Sequence, residues 1–147
     1  MSAMDLKIRQ MVETDAAVVA ELSRQLGYPN DPETVRKRLR AVDPADFLVV
    51  AVDEADVPIG FIHGRVTRTV EADARVHVVG LVVSSAARRA GVGRALIAEV
   101  ERWAATTDAE AVVVKSNTAR GEAHDFYPAV GYEKIKTQAV YLKQLHG

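Results

Sequence analysis

The sequence predicts an α/β protein of the α+β kind, with a mixed, mostly antiparallel central sheet flanked by helices. Three observations lead there. After a short first strand, two helical stretches are followed by three strand-like runs joined by short polar turns. The third run, Arg75–Val83, then meets a glycine-punctuated turn and another helix. The next strand, Ala111–Lys115, is reached through that helix, so it should lie parallel to Arg75–Val83.

Each element has a local cause. Leu6 to Arg9 is a short strand with Leu6 and Ile8 on one face. Thr14 and Asp15 open a helix, one as a cap and the other as an anion in the first turn. Val18, Leu22 and Leu26 recur at helical spacing as its packing stripe, and Gly27–Asn30 ends it. Asp31-Pro32 starts a second helix, because proline at the first helical position gives up no hydrogen bond. Val35, Leu39 and Val42 form its buried stripe, and Arg36, Lys37, Arg38 and Arg40 form a solvated basic face. Asp43-Pro44 breaks that helix. Phe47–Val52 and Val57–Val66 are strands around the turn Asp53–Asp56, and the polar segment Thr69–Ala74 turns the chain into Arg75–Val83. Ala95–Ala105 is helical, with Leu96, Ile97, Val100 and Trp103 facing the core. Tyr132–Ile135 and Gln138–Leu142 read as a closing hairpin. Without repeats or linkers, residues 1–147 are expected to form a single domain.

Composition removes several function classes. A net charge of −1 argues against a sequence-independent nucleic-acid binder. The absence of cysteine excludes disulfides, thiolate metal sites and a cysteine nucleophile. The four histidines lack zinc-like spacing, so no metal is expected. No apolar run approaches a membrane-spanning length and no apolar signal core opens the chain, so a cytoplasmic protein is the default.

The stretch Arg88-Arg89-Ala90-Gly91-Val92-Gly93-Arg94 is the most informative. Two glycines allow close approach to the backbone, three arginines add charge, and the first N–H groups of the following helix have no intrahelical partner. Together they form an anion site suited to a pyrophosphate. A nucleotide-hydrolysing loop would need lysine after the second glycine, and a dinucleotide fingerprint would need a third glycine; the sequence has neither. A dinucleotide fold would also place the glycines after its first strand, not after a meander.

What remains, Arg-x-x-Gly-x-Gly behind the strand end Leu81-Val82-Val83, resembles the acyl-CoA-binding motif of the GCN5-related N-acetyltransferases. A second stretch resembles the C-terminal half of that family: Asn117, then Arg120, then Ala123-His124-Asp125-Phe126-Tyr127, closed by Gly131-Tyr132. The resemblance implies a sheet whose parallel strand pair splays apart at Leu81–Val83, with acetyl-CoA as cosubstrate. Pantetheine would lie in the gap against Leu81, Val82 and Val83, the amide near Leu81 or Val82 would polarise the thioester carbonyl, and the amides from Arg89 to Arg94 would cradle the pyrophosphate. Arg88, Asn117, Ala123 and Phe126 complete the expected cofactor contacts. Gly131 should end the last helix as a left-handed cap. Pro128, directly after Tyr127, departs from the family pattern and should shorten or kink that helix.

Acetyl transfer to an amine needs a neutral amine, a polarised carbonyl and a protonated leaving thiolate. Tyr127 is the candidate acid, since a phenol near pKa 10 suits thiolate protonation better than base work. His77 stands six residues before Val83, where histone-acetylating relatives carry a glutamate base, and the spacing puts it on one face with Val79, Leu81 and Val83. Either His77 or water is then the base. The expected acceptor is a primary amine of a small molecule or peptide. A non-catalytic acyl-CoA-binding or regulatory module on the same fold is the alternative, and a homodimer through the C-terminal strands or first helices is left open.

Overall fold

A computed structural model describes residues 6–28, 30–88, 90–115 and 121–146, with the side chains of 121–124 outside the description. The chain divides into two compact units, residues 1–115 and 116–147.

The first unit is built on a five-stranded sheet in the order β1-β2-β3-β4-β5. Strands β1 (Lys7–Gln10), β2 (Phe47–Val52), β3 (Pro58–Thr67) and β4 (Arg75–Val83) are antiparallel neighbours, and β5 (Val112–Val114) runs parallel to β4. This mixed sheet with one parallel pair is the fold class that the pattern of elements predicts. Helices α1 (Ala16–Gln25) and α2 (Pro32–Ala41) pack on one face, where Phe61 meets a cluster of Met11, Ala16, Val19, Val35 and Val50. Helix α3 (Val92–Ala104) packs on the other. There, Cβ atoms added at Gly60 and Gly64 would stand 3.1 Å from a Val92 methyl and 2.7 Å from a Val100 methyl. Trp103 stacks on Phe47 with ring centroids 5.1 Å apart, so it is a packing residue.

Some local expectations change. The buried stripe of α1 is Ala16, Val19, Ala20 and Leu22, because the small alanines let the helix sit closer than a stripe through Val18 and Leu26 would. Gly27 (φ +88) closes α1, with Gly27 N–H bonding to Arg24 O and Tyr28 N–H to Ser23 O. Asp31 caps α2 by accepting from Thr34 N–H at 2.8 Å. On the basic face of α2, Arg36 pairs with Glu33, Arg40 with Glu13, and Arg38 bonds to Asn30.

One irregularity governs the sheet. His63 of β3 pairs with Gly80 and Gly64 pairs with Val78, so Val79 is an extra residue in β4, a β-bulge. The expected alternation of His77, Val79, Leu81 and Val83 on one face is therefore wrong. Leu81 and Val83 pair with Ile62 and Gly60 on the α3 face, whereas His77 pairs with Arg65 on the opposite face. Pairing of β4 with β5 covers Val76–Val78 and Val112–Val114, and so stops where the bulge begins.

The second unit contains α4 (Gly121–Ala129). Its end is a complete Schellman motif: Gly131 has φ +96, Gly131 N–H bonds to Pro128 O at 3.1 Å, and Tyr132 N–H to Tyr127 O at 2.9 Å. The expected disruption at Pro128 does not occur before the cap. Pro128 occupies the last turn, and Val130 N–H bonds back to Phe126 O and Tyr127 O. The expected hairpin over Tyr132–Ile135 and Gln138–Leu142 is not formed; the described residues beyond 131 carry no strand, and Ile135, Val140, Tyr141 and Leu142 are exposed. Two short strands without a sheet partner bury too little to hold each other.

Asp15 is the buried anion of the first turn, where it closes a capping box on Val12 N–H over the short turn Glu13–Asp15 rather than capping α1. Its carboxylate takes two bonds of 2.9 Å from Arg9 of β1 and a third from Val12 N–H, tying β1 to the start of α1. Burial pushes the Asp15 carboxyl up, but the bonds from Arg9 and Val12 outweigh it and hold the group below its ordinary range. Asp15→Asn is expected to lower unfolding stability by about 2 kcal/mol at pH 7. Because the folded pKa is depressed, the Asp15 contribution is full above about pH 4 and fades as pH falls through the folded value. Thermal melts of the two proteins should therefore converge in acid.

Candidate active site

The anion-binding residues meet at the start of α3. Gly91 has φ +83, a left-handed conformation in which a side chain is strained, and it serves as N-cap. The first bond of the helical ladder runs from Ala95 N–H to Gly91 O at 3.0 Å, so the N–H groups of Val92, Gly93 and Arg94 precede it. Gly93 is helical, so its value is the missing Cβ rather than an unusual φ. Val92 has its side chain buried at 1% exposure, and only its backbone can serve a ligand. Arg88 is half-buried, Ala90 and Arg94 are exposed, and Arg89 lies outside the described residues. A left-handed glycine, three leading amides and flanking arginines suit a pyrophosphate.

The second feature is the edge of β4 past the bulge. Ser84 N–H donates to Ile59 O at 2.8 Å, toward β3. By strand alternation the amide of Val82 points the same way, and those of Leu81 and Val83 point to the opposite edge, beyond the reach of β5 pairing. Of the three, Leu81 and Val83 thus offer backbone groups to an extended ligand. Val82 is buried at 8% exposure on the α1 face.

His77 stands on the face away from α3, opposite Arg65 of β3 and Val113 of β5. Burial lowers its pKa, and the positive charges of Lys115 and Arg75 lower it further, so the ring is neutral at pH 7. Next to it on β3, His63 Nε2 lies 2.8 Å from Asp46 Oδ2, and Arg65 donates to the same oxygen through Nε at 3.1 Å. The Asp46 carboxyl is pushed up by burial, but the bonds from His63 and Arg65 prevail and hold it low. The spacing of residues did not single out Asp46, Arg65 or Lys115. Strand register brings Asp46 to His63 and Arg65 and puts Lys115 past Val113 on the His77 face, and only Lys115, at a visible strand end, carried a sequence signal.

In the second unit, Phe126 and Tyr127 are half-buried with rings edge to face at 5.1 Å, and Tyr127 meets Tyr132 at 6.1 Å. Asn117 and the side chains of Ala123 and His124 lie outside the described residues. A cavity of about 510 Å³, lined by Met11, Leu39, Arg40, Asp46 and Leu48 among others, lies toward the other end of β2 from the Val83 level. Among the described residues no group of three or more acidic or histidine side chains is placed to hold a metal, and no helix is long and apolar enough to cross a membrane.

A glycine-started helix beside an open strand edge is an α/β arrangement able to hold an extended ligand with an anionic end. The profile of the acetyltransferase (GNAT) family matches residues 16–132, and the chain belongs to that family. Among solved structures, an acetyltransferase of Trypanosoma brucei is similar with TM-score 0.81 and 19% identity, covering 95% of this chain and 100% of the other. Glucosamine-6-phosphate N-acetyltransferase from Arabidopsis thaliana is similar with TM-score 0.80 and 17% identity, covering 95% and 99%. Aminoglycoside N-acetyltransferase AAC(6')-Iy, crystallised with CoA, has TM-score 0.81 and 21% identity, with 95% of each chain covered. At these identities the likeness concerns the fold. No curated protein sequence is similar enough to this chain to count as a match.

The surroundings of His77 make a measurable prediction. Its imidazole should titrate below 6.5, and Lys115→Gln should move the midpoint upward by removing one of the charges that lowers it. The ring proton shifts in NMR spectra across pH 4–8 report it, with His77→Gln as the assignment control. A wild-type midpoint above 6.5 would contradict the described environment.

Proposed function

We propose that the chain is an acetyl-CoA-dependent N-acetyltransferase acting by direct transfer on a primary amine of a small molecule or peptide, with both units as parts of one domain. The observation that carries this reading is the pairing of two features in one connected segment. The open β4 edge at Leu81 and Val83 leads within a few residues to the α3 start at Gly91. A thioester arm fits the edge as an extra strand, and its pyrophosphate fits the amides of Val92, Gly93 and Arg94. Arg88, Arg89, Ala90, Asn117, Ala123 and Phe126 are assigned to the cofactor by motif.

In the reaction the amine nitrogen bonds to the acetyl carbon as the carbon–sulfur bond breaks. The amine gives up a proton and the sulfur gains one. The N–H of Leu81 is the donor assigned to the carbonyl oxygen. His77, neutral at pH 7, is assigned to accept the amine proton directly or through water, and the Tyr127 hydroxyl to protonate the thiolate. A pure CoA-binding module would need neither side chain.

Thiol release from acetyl-CoA across a panel of amines, aminoglycosides, amino acids and basic peptides tests the reading. CoA binding without turnover on any class would favour the non-catalytic module. Gly91→Glu should abolish CoA binding in calorimetry, because it puts bulk, strain and negative charge at the cradle; unchanged affinity in a folded variant would overturn the site. Tyr127→Phe should lower kcat by roughly 10²–10⁴-fold with CoA affinity retained. His77→Gln should remove the rise of kcat/KM with pH below 6.5, and a folded variant that keeps this limb would leave water as the base.

A further inference from the structure

Resting on that reading, we propose that the acceptor amine carries an anionic group, a phosphate or a carboxylate, which Lys115 and Arg65 receive on the face that presents His77. The argument begins with register. Arg65 is the cross-strand partner of His77 on β3, and Arg75 precedes His77 by two residues on the same face of β4. Val113 is its partner on β5, so Lys115, two residues further, continues on that face toward the level where β4 opens. His77 thus has Arg65 across from it on β3, Arg75 on its own strand and Lys115 just past the end of β5, the first two paired with Asp46 and Glu110.

The carboxylates nearby do not neutralise this field at the open end. Asp46 is nearly buried, with 5% of its side chain exposed, and its Oδ2 is shared by His63 and Arg65. Glu110 pairs with Arg75 at the start of β4, and Glu71 and Asp73 lie in the loop before it, at the far end of the strand from Leu81. Lys115 is exposed, and among the described residues it makes no ion pair. Its charge nevertheless reaches His77, whose pKa it lowers.

Two consequences point to an anionic acceptor. Because Arg65 and Arg75 are paired with Asp46 and Glu110, the discrimination falls chiefly to Lys115: its charge repels a polycationic amine, whereas a phosphate or carboxylate would be held by it, with the exposed part of the Arg65 guanidinium as a second donor. The same cations disfavour a protonated ammonium near His77, lowering the pKa of the acceptor amine and easing loss of its proton. The anion supplies the attraction and the field supplies the neutral nucleophile.

Matched amines test this on the full chain. Glucosamine 6-phosphate is compared with glucosamine, and γ-aminobutyrate with putrescine, by titration followed through the His77 ring signals and by thiol release from acetyl-CoA. The anionic member of at least one pair should bind about tenfold tighter or more, corresponding to about 1.4 kcal/mol, and should raise the midpoint of His77. Preference in the sugar pair alone identifies phosphate, and in the linear pair alone carboxylate. Lys115→Gln should weaken binding of the preferred anionic amine several-fold more than that of its uncharged or cationic counterpart, and Lys115→Arg should restore the difference; a merely structural role would move both alike. Equal binding within both pairs, or tighter binding of putrescine and glucosamine, overturns the proposal. Selective anion binding without thiol release on any acceptor would instead overturn the enzymatic reading and leave the anion site standing.

Discussion

The extra residue at Val79 is the constraint on which the first unit depends. A regular β4 would stay in register with β3 along its whole length and keep one set of side chains on each face. The insertion divides the strand into two parts with different duties. Before it, Val76 and Val78 pack into the core and hold β5. After it, Leu81 and Val83 take over the α3 face while their amides look out from an edge that β5 no longer covers. One additional residue thus puts the side chain of His77 and those of Leu81 and Val83 on opposite faces of a single strand, with the proposed acyl-binding amides at its edge.

Charge is distributed with similar economy. The buried carboxylates Asp15 and Asp46 are each satisfied by an arginine and a further donor; Asp15 joins neighbouring elements, and Asp46 joins strands farther apart in sequence. Asp15 fixes β1 to the helical layer, and Asp46 fixes the entry of β2 to the middle of β3. Both are held ionised against the cost of burial, so neither can serve readily as a proton carrier near pH 7. The imidazoles of this face that remain are that of His63, bonded to Asp46, and the neutral one of His77, the one proposed as base.

Much of this was legible in the residues. Short turns, β-branched runs and the helix breakers at Gly27, Pro32 and Pro44 define the order of elements, and the glycine pair marks the start of α3 because few other arrangements require it. Gly131 declared its left-handed cap for the same reason. The bulge was not legible, since Val79 is chemically an ordinary strand residue and only pairing with β3 reveals that it is extra. Asp46, Arg65 and Lys115 were missed as a consequence, because residues 46, 65 and 115 become neighbours of His63 and His77 only through register. The C-terminal hairpin failed for a different reason: alternation alone describes a face without supplying the partner that would bury it.

Gly60 and Gly64 carry a consequence of another kind. Because neither has a side chain, α3 rests almost on the backbone of β3, with methyl groups of Val92 and Val100 filling the missing volume. The height of that helix above the sheet, and with it the position of its first amides, is thus a property of β3. Volume gained on β3 would be transmitted through α3 as displacement of its N-terminus. A change in the interior at Gly60 or Gly64 would thus be felt at the exposed, glycine-started end of α3.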